Sequence, residues 1–401
     1  MQGSKSRLKI LYVNKVSPFG IGGAELRLRE VPSRLASRGH EVHLVCGKNL
    51  PQLPDYQQVN GVHIRNVKVL PSWLFKFHKL SFFLARYLFY FVSIPAIFRS
   101  ARKADVVIDS ATPVVSAAGV ISKLLGKPCV VRTANEPCGL SWFRLRGPLT
   151  ATLGYLAEKY FFTQRYEAYI AVSQHTIDKM VDRGKPRERI YHLHHGVERP
   201  AQPAQPVDGR LLEAACLSRL VKMKNIASLL RAWKLVTAEL DGARLRIIGD
   251  GPERKNLERL AEALSISKSV TFEGATGERK WALLDQASVF AFPSLQEGFG
   301  IVMLEAMAAG LPVVAYDLPV FREFFNDREH GYLVPLDDHE QMAERLLELL
   351  QNDSLRREIS RRNAEYARQF TWERATDDEE NALLSVLAGA SRALRKCETN
   401  A

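Results

Sequence analysis

Two parallel, doubly wound α/β sheets in succession are the fold this sequence predicts, and three observations carry it. Short buried-strand runs alternate with helical stretches along both halves, a proline-rich break lies between the halves, and each half opens on a strand feeding a loop. The chain has 401 residues, 46% hydrophobic and 25% charged, too long for one ordinary core and globular in composition.

The first half starts with a strand from Leu8 to Asn14. A glycine loop, Phe19-Gly-Ile-Gly-Gly-Ala-Glu25, leads into a helix pattern to about Arg38, and Gly39-His40 stops it. Glu41 to Cys46 is a second strand, closing one βαβ unit. Buried-strand runs follow at Asp105–Asp109, Pro128–Arg132 and Tyr169–Ser173, giving a first Rossmann-like domain over residues 1–196. Residues 197–209 hold Pro200, Pro203 and Pro206 without an apolar period and read as a linker. The pattern then restarts over 210–364, with strands at Leu212–Leu217, Ala243–Ile248, Ser269–Phe272, Ser288–Phe292 and Leu311–Ala315. Helices such as Ala227–Glu239 and Glu253–Leu264 separate them. From Asp338 the chain is helical and charged. Two such halves imply a cleft between them and ligands at the carboxyl ends of the strands.

Charge is distributed unevenly. Residues 1–200 carry 30 Lys+Arg against 13 Asp+Glu, and residues 201–401 carry 26 against 31, so the net +12 belongs wholly to the first half. Such a surface attracts nucleic acid, an anionic membrane or a phosphorylated substrate. No helix-turn-helix, aromatic RNA-binding motif or zinc finger is present, which leaves membrane or phosphate. Residues 73–99, from Trp73 to Arg99, are the strongest apolar concentration. Lys76, Lys79 and Arg86 interrupt it, so it reads as an amphipathic element at a membrane interface or as a buried helix pair with snorkelling basic tips. The five cysteines, Cys46, Cys129, Cys138, Cys216 and Cys397, form no CxxC pair, and the N-terminus lacks the apolar region of a secretory signal. A cytoplasmic protein, peripheral on the cytoplasmic face of the membrane, is the expectation.

The most specific string is Pro293-Ser-Leu-Gln-Glu297-Gly298-Phe299-Gly300, continuing Ile-Val-Met-Leu-Glu305 and on to Pro312. After a strand, its glycines give the loop backbone freedom, and the helix behind it presents unpaired amides, an arrangement suited to a diphosphate. Glu297 is placed to accept from sugar hydroxyls, and Glu305, about two turns on, to reach a ribose. On the residues alone the plainer alternative stays open: Glu297 favours the helix dipole and Glu305 is a solvated charge. A basic loop, Arg219-Leu-Val-Lys222-Met-Lys224, follows the first strand of the second half, with Lys222 read as an exposed bystander. Gly249-Asp-Gly251-Pro closes the next strand as a turn. In the first half, Gly20-Ile-Gly22-Gly23-Ala-Glu25 is not a dinucleotide fingerprint, because Glu25 stands where the last glycine belongs and no acidic residue ends the second strand.

These strings together resemble the E-x7-E signature, the Arg-Leu-x-x-x-Lys loop and the GGAE-type loop of the group 1 (family 4-like) retaining glycosyltransferases of GT-B architecture. The resemblance implies two Rossmann-like domains and a nucleotide-diphosphate sugar as donor. Glu297 with Gly298, Phe299 and Gly300 would hold the sugar end, and Glu305 the ribose. Arg219 and Lys224 would neutralise the diphosphate as it leaves, Gly249 and Gly251 would line the nucleotide pocket, and Gly22 and Gly23 would close over the phosphates. It further implies transfer with retention, no essential metal and no cofactor, a donor phosphate oxygen assisting deprotonation of the acceptor, and a tail, 365–401, crossing back to the first domain. His195 replaces the family's usual Asn before Gly196. His192, His194 and His195 have no fixed acidic or thiol partner, so no metal is assigned. Many members carry a His after the strand ending at Arg132; here the loop reads Arg132-Thr-Ala-Asn135-Glu136, and Asn135 or Glu136 is the candidate on the acceptor side.

A sugar or lipid-linked sugar acceptor, in surface polysaccharide, lipopolysaccharide or glycolipid synthesis, fits the basic first domain. Two alternatives stand beside it: a nucleotide-sugar epimerase on the same architecture, which needs no acceptor, and a membrane-attached scaffold without turnover.

Overall fold

The computed structural model describes residues 7–20, 22–48, 52–69, 88–110, 116–133, 148–199 and 212–398. The chain divides into two compact units, one formed by Met1–His194 with Trp372–Ala401, the other by His195–Thr371. Sequence reading puts these borders at 196 and 365. The chain instead joins the second unit at His195 and leaves it at Thr371, because Val197 N donates to Phe370 O at 2.8 Å and Arg199 Nη2 donates to Asp285 at 2.7 Å. The expected linker lies, from residue 200 on, outside the described residues. So do residues 73–87 of the apolar segment.

In the first unit the elements run β1 (Lys9–Asn14), α1 (Gly23–Ser37), β2 (Glu41–Gly47), β3 (Tyr56–Val59), β4 (Val62–Val67), α2 (Ile94–Ala101), β5 (Val106–Asp109), α3 (Ala118–Leu124), β6 (Cys129–Thr133), α4 (Pro148–Thr163), β7 (Ala168–Ala171), α5 (Gln174–Val181) and β8 (Ile190–His192). They form an eight-stranded sheet ordered β3-β4-β2-β1-β5-β6-β7-β8. All neighbours are parallel except β3 with β4. β5, β6 and β7 are buried along their whole length, the burial a parallel sheet covered on both faces requires. The β3–β4 hairpin was not anticipated. Its turn is Asn60-Gly61, both at positive φ (47° and 80°), the backbone a two-residue hairpin needs.

The second unit runs β9 (Glu213–Leu217), α6 (Ile226–Glu239), β10 (Arg244–Ile248), α7 (Arg254–Ala263), β11 (Val270–Gly274), α8 (Lys280–Gln286), β12 (Val289–Phe292), α9 (Ile301–Ala308), β13 (Val313–Tyr316), β14 (Gly331–Val334), α10 (His339–Gln351) and α11 (Asp353–Ala367). Its sheet is wholly parallel, ordered β11-β10-β9-β12-β13-β14. The order reverses between β9 and β12, and at such a switch point the loops leaving adjacent strands diverge and make room for a ligand. A core of Trp233, Leu229, Val236, Ile247 and Leu346 fills the space between sheet and helices. β14, unread in the sequence, extends the sheet by four residues. Both units are thus doubly wound α/β sheets.

The last helix, α12 (Trp372–Glu398), belongs to the first unit and packs against α1. Glu379 on α12 is fully buried and accepts from Arg27 Nη2 (2.7 Å), Arg132 Nη2 (2.7 Å) and Tyr12 Oη (2.8 Å). Arg38 pairs with the exposed Glu373 and Asp377 and with the buried Glu380.

Candidate functional site

Three consecutive strands of the second unit, β10, β9 and β12, deliver three loops to one edge of the sheet. The loop after β9 carries Arg219 and ends in a single turn, Lys222–Lys224, that feeds α6 through Asn225 at φ 51°. The loop after β12 carries Glu297. Leu295 N donates to Met223 O at 3.0 Å, so the two loops are bonded directly. This brings the Lys224 ammonium onto the Glu297 carboxylate, with 13% and 12% of the two side chains exposed. The Phe292 ring lies 5.5 Å from the same ammonium. Arg219 and Lys222 are exposed, and among the described residues neither side chain is held in an ion pair. The site therefore offers one cation held on a carboxylate and another free to meet an anion.

The loop after β10 is sewn to that of β9. Ser218 N donates to Ile248 O, Leu220 N to Asp250 O and Glu253 N to Leu220 O, each at 3.0 Å. Gly249, at φ 137°, and Gly251 are explained by this packing: a Cβ at either would run into the carbonyl of Ser218 or Leu220. The family resemblance implies that these glycines line a nucleotide pocket. In the structure what approaches is the backbone on either side of Arg219, so the glycines shape the cation loop.

Gly300 caps α9 at φ 93°, and a Cβ there would stand 2.6 Å from the Phe321 ring. The helix behind it directs its first amides and the positive end of its dipole toward the Glu297 loop. Phe299 does not turn its ring to that side. It is 3% exposed and stacks on Phe324 at 4.8 Å, so only its backbone is left for the expected part in holding a sugar. Gly298 is buried beside it.

Glu305 is buried at 4% exposure, which removes the alternative of a solvated charge. Its Oε1 accepts from Lys280 Nζ at 2.6 Å. Burial pushes the Glu305 carboxyl above its ordinary value, the nearby Glu278 adds to that, and Lys280 pulls against both. Lys280 opens α8, twenty-five residues earlier in the chain, and nothing in its sequence context singled it out.

In the first unit Gly22 caps α1 and Gly23 begins it, at the carboxyl end of β1 and next to the point where that sheet's order reverses. Asn135 and Glu136 lie outside the described residues. The His192 and His194 rings lie 4.2 Å apart, tilted by 48°, and among the described residues no group of three His, Cys, Asp or Glu is arranged to hold a metal ion. No described helix is long and apolar enough to cross a membrane.

Comparison with known proteins adds to this geometry. Residues 201–369 match the family model of group 1 glycosyl transferases, and residues 21–199 match that of glycosyltransferase family 4. A phosphatidyl-myo-inositol mannosyltransferase of Mycobacterium leprae is 38% identical over 151 residues, which is 37% of this chain and 40% of that protein. The lipopolysaccharide core biosynthesis glycosyltransferase LpsE of Rhizobium meliloti is 34% identical over 173 residues, 43% of this chain and 48% of the relative. The aligned regions thus span less than half the length of either. Among solved structures, the sucrose-phosphate synthase of Thermosynechococcus elongatus superposes with a TM-score of 0.73 at 18% identity, over 98% of this chain and all of that one. Anabaena HepE in complex with UDP-glucose gives 0.72 at 18% identity, over 94% and 100%. Two doubly wound parallel sheets, the loop pairing of Lys224 with Glu297 and two family models that together take in most of the sequence lead to one assignment: the chain belongs to the group 1 glycosyltransferases, on the GT-B architecture.

Proposed function

We propose that this protein transfers a sugar from a nucleoside-diphosphate donor to a sugar or lipid-linked acceptor, with retention of anomeric configuration and without an essential metal. The observation that carries the proposal is the meeting of Lys224 with Glu297 on bonded loops at the switch point of the second sheet, with Arg219 exposed beside them. Breaking the bond from the anomeric carbon to the diphosphate leaves negative charge on the phosphate oxygens. Arg219, Lys224 and the amino end of α9 oppose that charge more strongly as it develops, so they stabilise the transition state beyond the ground state. Glu297 accepts from hydroxyls of the sugar, fixing the anomeric carbon for attack by the acceptor oxygen. The acceptor proton passes to a donor phosphate oxygen.

An acceptor at an anionic membrane fits the surface of the first unit. Phe91, Ile94 and Phe98 are 65%, 40% and 40% exposed, and Arg99, Arg102 and Lys103 stand exposed close by. Apolar side chains beside cations are the pattern of an element that rests in a headgroup layer. The named activities of the mycobacterial and rhizobial relatives, on phosphatidyl-myo-inositol and lipopolysaccharide core, agree with such an acceptor. The test is a thermal-shift screen of nucleotide sugars, followed by release of nucleoside diphosphate with a bacterial membrane extract as acceptor. One donor should raise the melting temperature, and turnover should fall about 10²- to 10³-fold in Lys224→Ala and Glu297→Ala. A protein that no nucleotide sugar stabilises, or one that converts its donor without any acceptor, refutes the proposal.

A further inference from the structure

Glu305 is a buried carboxylate whose set of partners among the described residues is incomplete. A carboxylate has about four lone-pair sites, and burying one without donors is costly. Among the described residues a single donor reaches it: Lys280 Nζ, at 2.6 Å from Oε1. Oε2 receives none. The donor is itself held in place. Its ammonium lies 5.3 Å from the centre of the Trp281 ring, which is 6% exposed, and 17% of the Lys280 side chain is accessible. Lys280 comes from the connection between β11 and β12, an element apart from the three loops that carry the other site residues.

We propose that Lys280 is a positioning residue for donor recognition: it fixes the Glu305 carboxylate through Oε1 and leaves Oε2 turned to accept from a ribose hydroxyl of the nucleoside diphosphate. This rests on the proposed donor reading, a nucleoside diphosphate held by the second unit, and adds to it that Glu305 meets the ribose. Lys280 does the work of a second anchor. Without it a buried carboxylate either takes up a proton or rotates toward other donors, and in both cases the geometry toward the ribose is lost. A bond of this kind separates ligands that have a hydroxyl from ligands that lack it, because the deoxy ligand leaves a buried acceptor unpaired.

Isothermal titration provides the test. Wild type is titrated with UDP, GDP and ADP, and the tightest of the three is compared with its 2′-deoxy and 3′-deoxy forms. Wild type should lose about 10-fold in affinity when the hydroxyl facing Glu305 is removed. Lys280→Met should bind the parent nucleotide about 10-fold more weakly and tell ribose from deoxyribose by no more than about 2-fold, and Lys280→Arg should recover most of the preference. Melting curves check folding, and if the Met variant does not melt cooperatively Lys280→Gln is read the same way. A full ribose preference in the folded Met or Gln variant overturns the inference. So does a wild-type preference that survives Glu305→Ala, or a wild type that binds a nucleotide yet ignores its ribose; in those three cases the donor reading stands. Failure of the wild type to bind any of the three nucleotides removes the donor reading and this inference together.

Discussion

Glu379 and Glu305 are both buried acids, one in each unit, and their surroundings differ in one respect. Among the described residues Glu379 is met by two guanidinium groups and a phenol, whereas Glu305 has one ammonium. Burial alone would raise the Glu379 carboxyl, but Arg132 and Arg27 outweigh it and hold it below its ordinary value; Glu305, with a single cation, stays above. A carboxylate with a full set of donors has nothing left to offer a ligand and serves the fold. One left short is a place where a substrate can complete the set.

The largest effect that can break this comparison is removal of the Glu379 carboxylate. Glu379→Ala removes the carboxylate that both Arg27 and Arg132 meet in the interior, and is expected to cost about 3–5 kcal/mol of unfolding free energy, measured by urea titration. Glu305→Ala, with one partly accessible cation left behind, should cost less in the same assay.

Protonation sharpens the contrast in opposite directions. The folded value of Glu379 lies below the unfolded value near 4.5, so its contribution is complete above 4.5 and is lost as pH falls through the folded value. Glu379→Gln should therefore be about 2 kcal/mol less stable than wild type at pH 7, and the gap should close in acid. Glu305 has its folded value above the unfolded one. Its ionisation opposes folding, so stability falls as pH rises through that interval. Glu305→Gln should gain on wild type over the same interval, by about 1 kcal/mol in urea midpoints.

A buried cation supplies the smallest test. Lys185, 5% exposed, donates to Phe161 O, Phe162 O and Gln164 O at the end of α4, and burial pulls its ammonium down to about 8 from 10.5. The unfolded chain then binds the extra proton between those two values, so stability rises with pH across them. Lys185→Met should flatten the rise, as read from melting temperatures at pH 7.5 and 10.

Much of this was legible along the chain, for a physical reason. Strands buried on both faces leave uninterrupted apolar runs, and a loop that must bend after a strand leaves glycines, so β1, β9, β10 and β12 and the loops of Lys224 and Glu297 could be read locally. The Asn60-Gly61 hairpin was equally local and passed unread, because the short strands flanking it, with Gln57 and Gln58 in one and His63 and Arg65 in the other, carry no continuous apolar run. Partners were not legible. Lys280 reaches Glu305 across 25 residues, and Tyr12, Arg27 and Arg132 reach Glu379 across 247 to 367, so the chemistry of each acid depends on folding that no window of sequence reports. For Phe299 the motif gave the position and the core packing gave the direction of the ring. For Gly249 and Gly251 the turn was readable, but the neighbour that forbids a side chain was not.

The neutraliser of Arg27 and Arg132 sits on the far side of the second unit in the order of synthesis. When a ribosome has made the first 194 residues, the sheet has its strands but not yet the Glu379 carboxylate that Arg27 and Arg132 meet in its interior. At about 5–20 residues per second, the stretch His195–Thr371 takes on the order of ten seconds or more to emerge before Glu379 can arrive. The later-made unit is therefore free to mature first, while its predecessor waits half-assembled, and a chain cut short at Thr371 would stay in that condition for good.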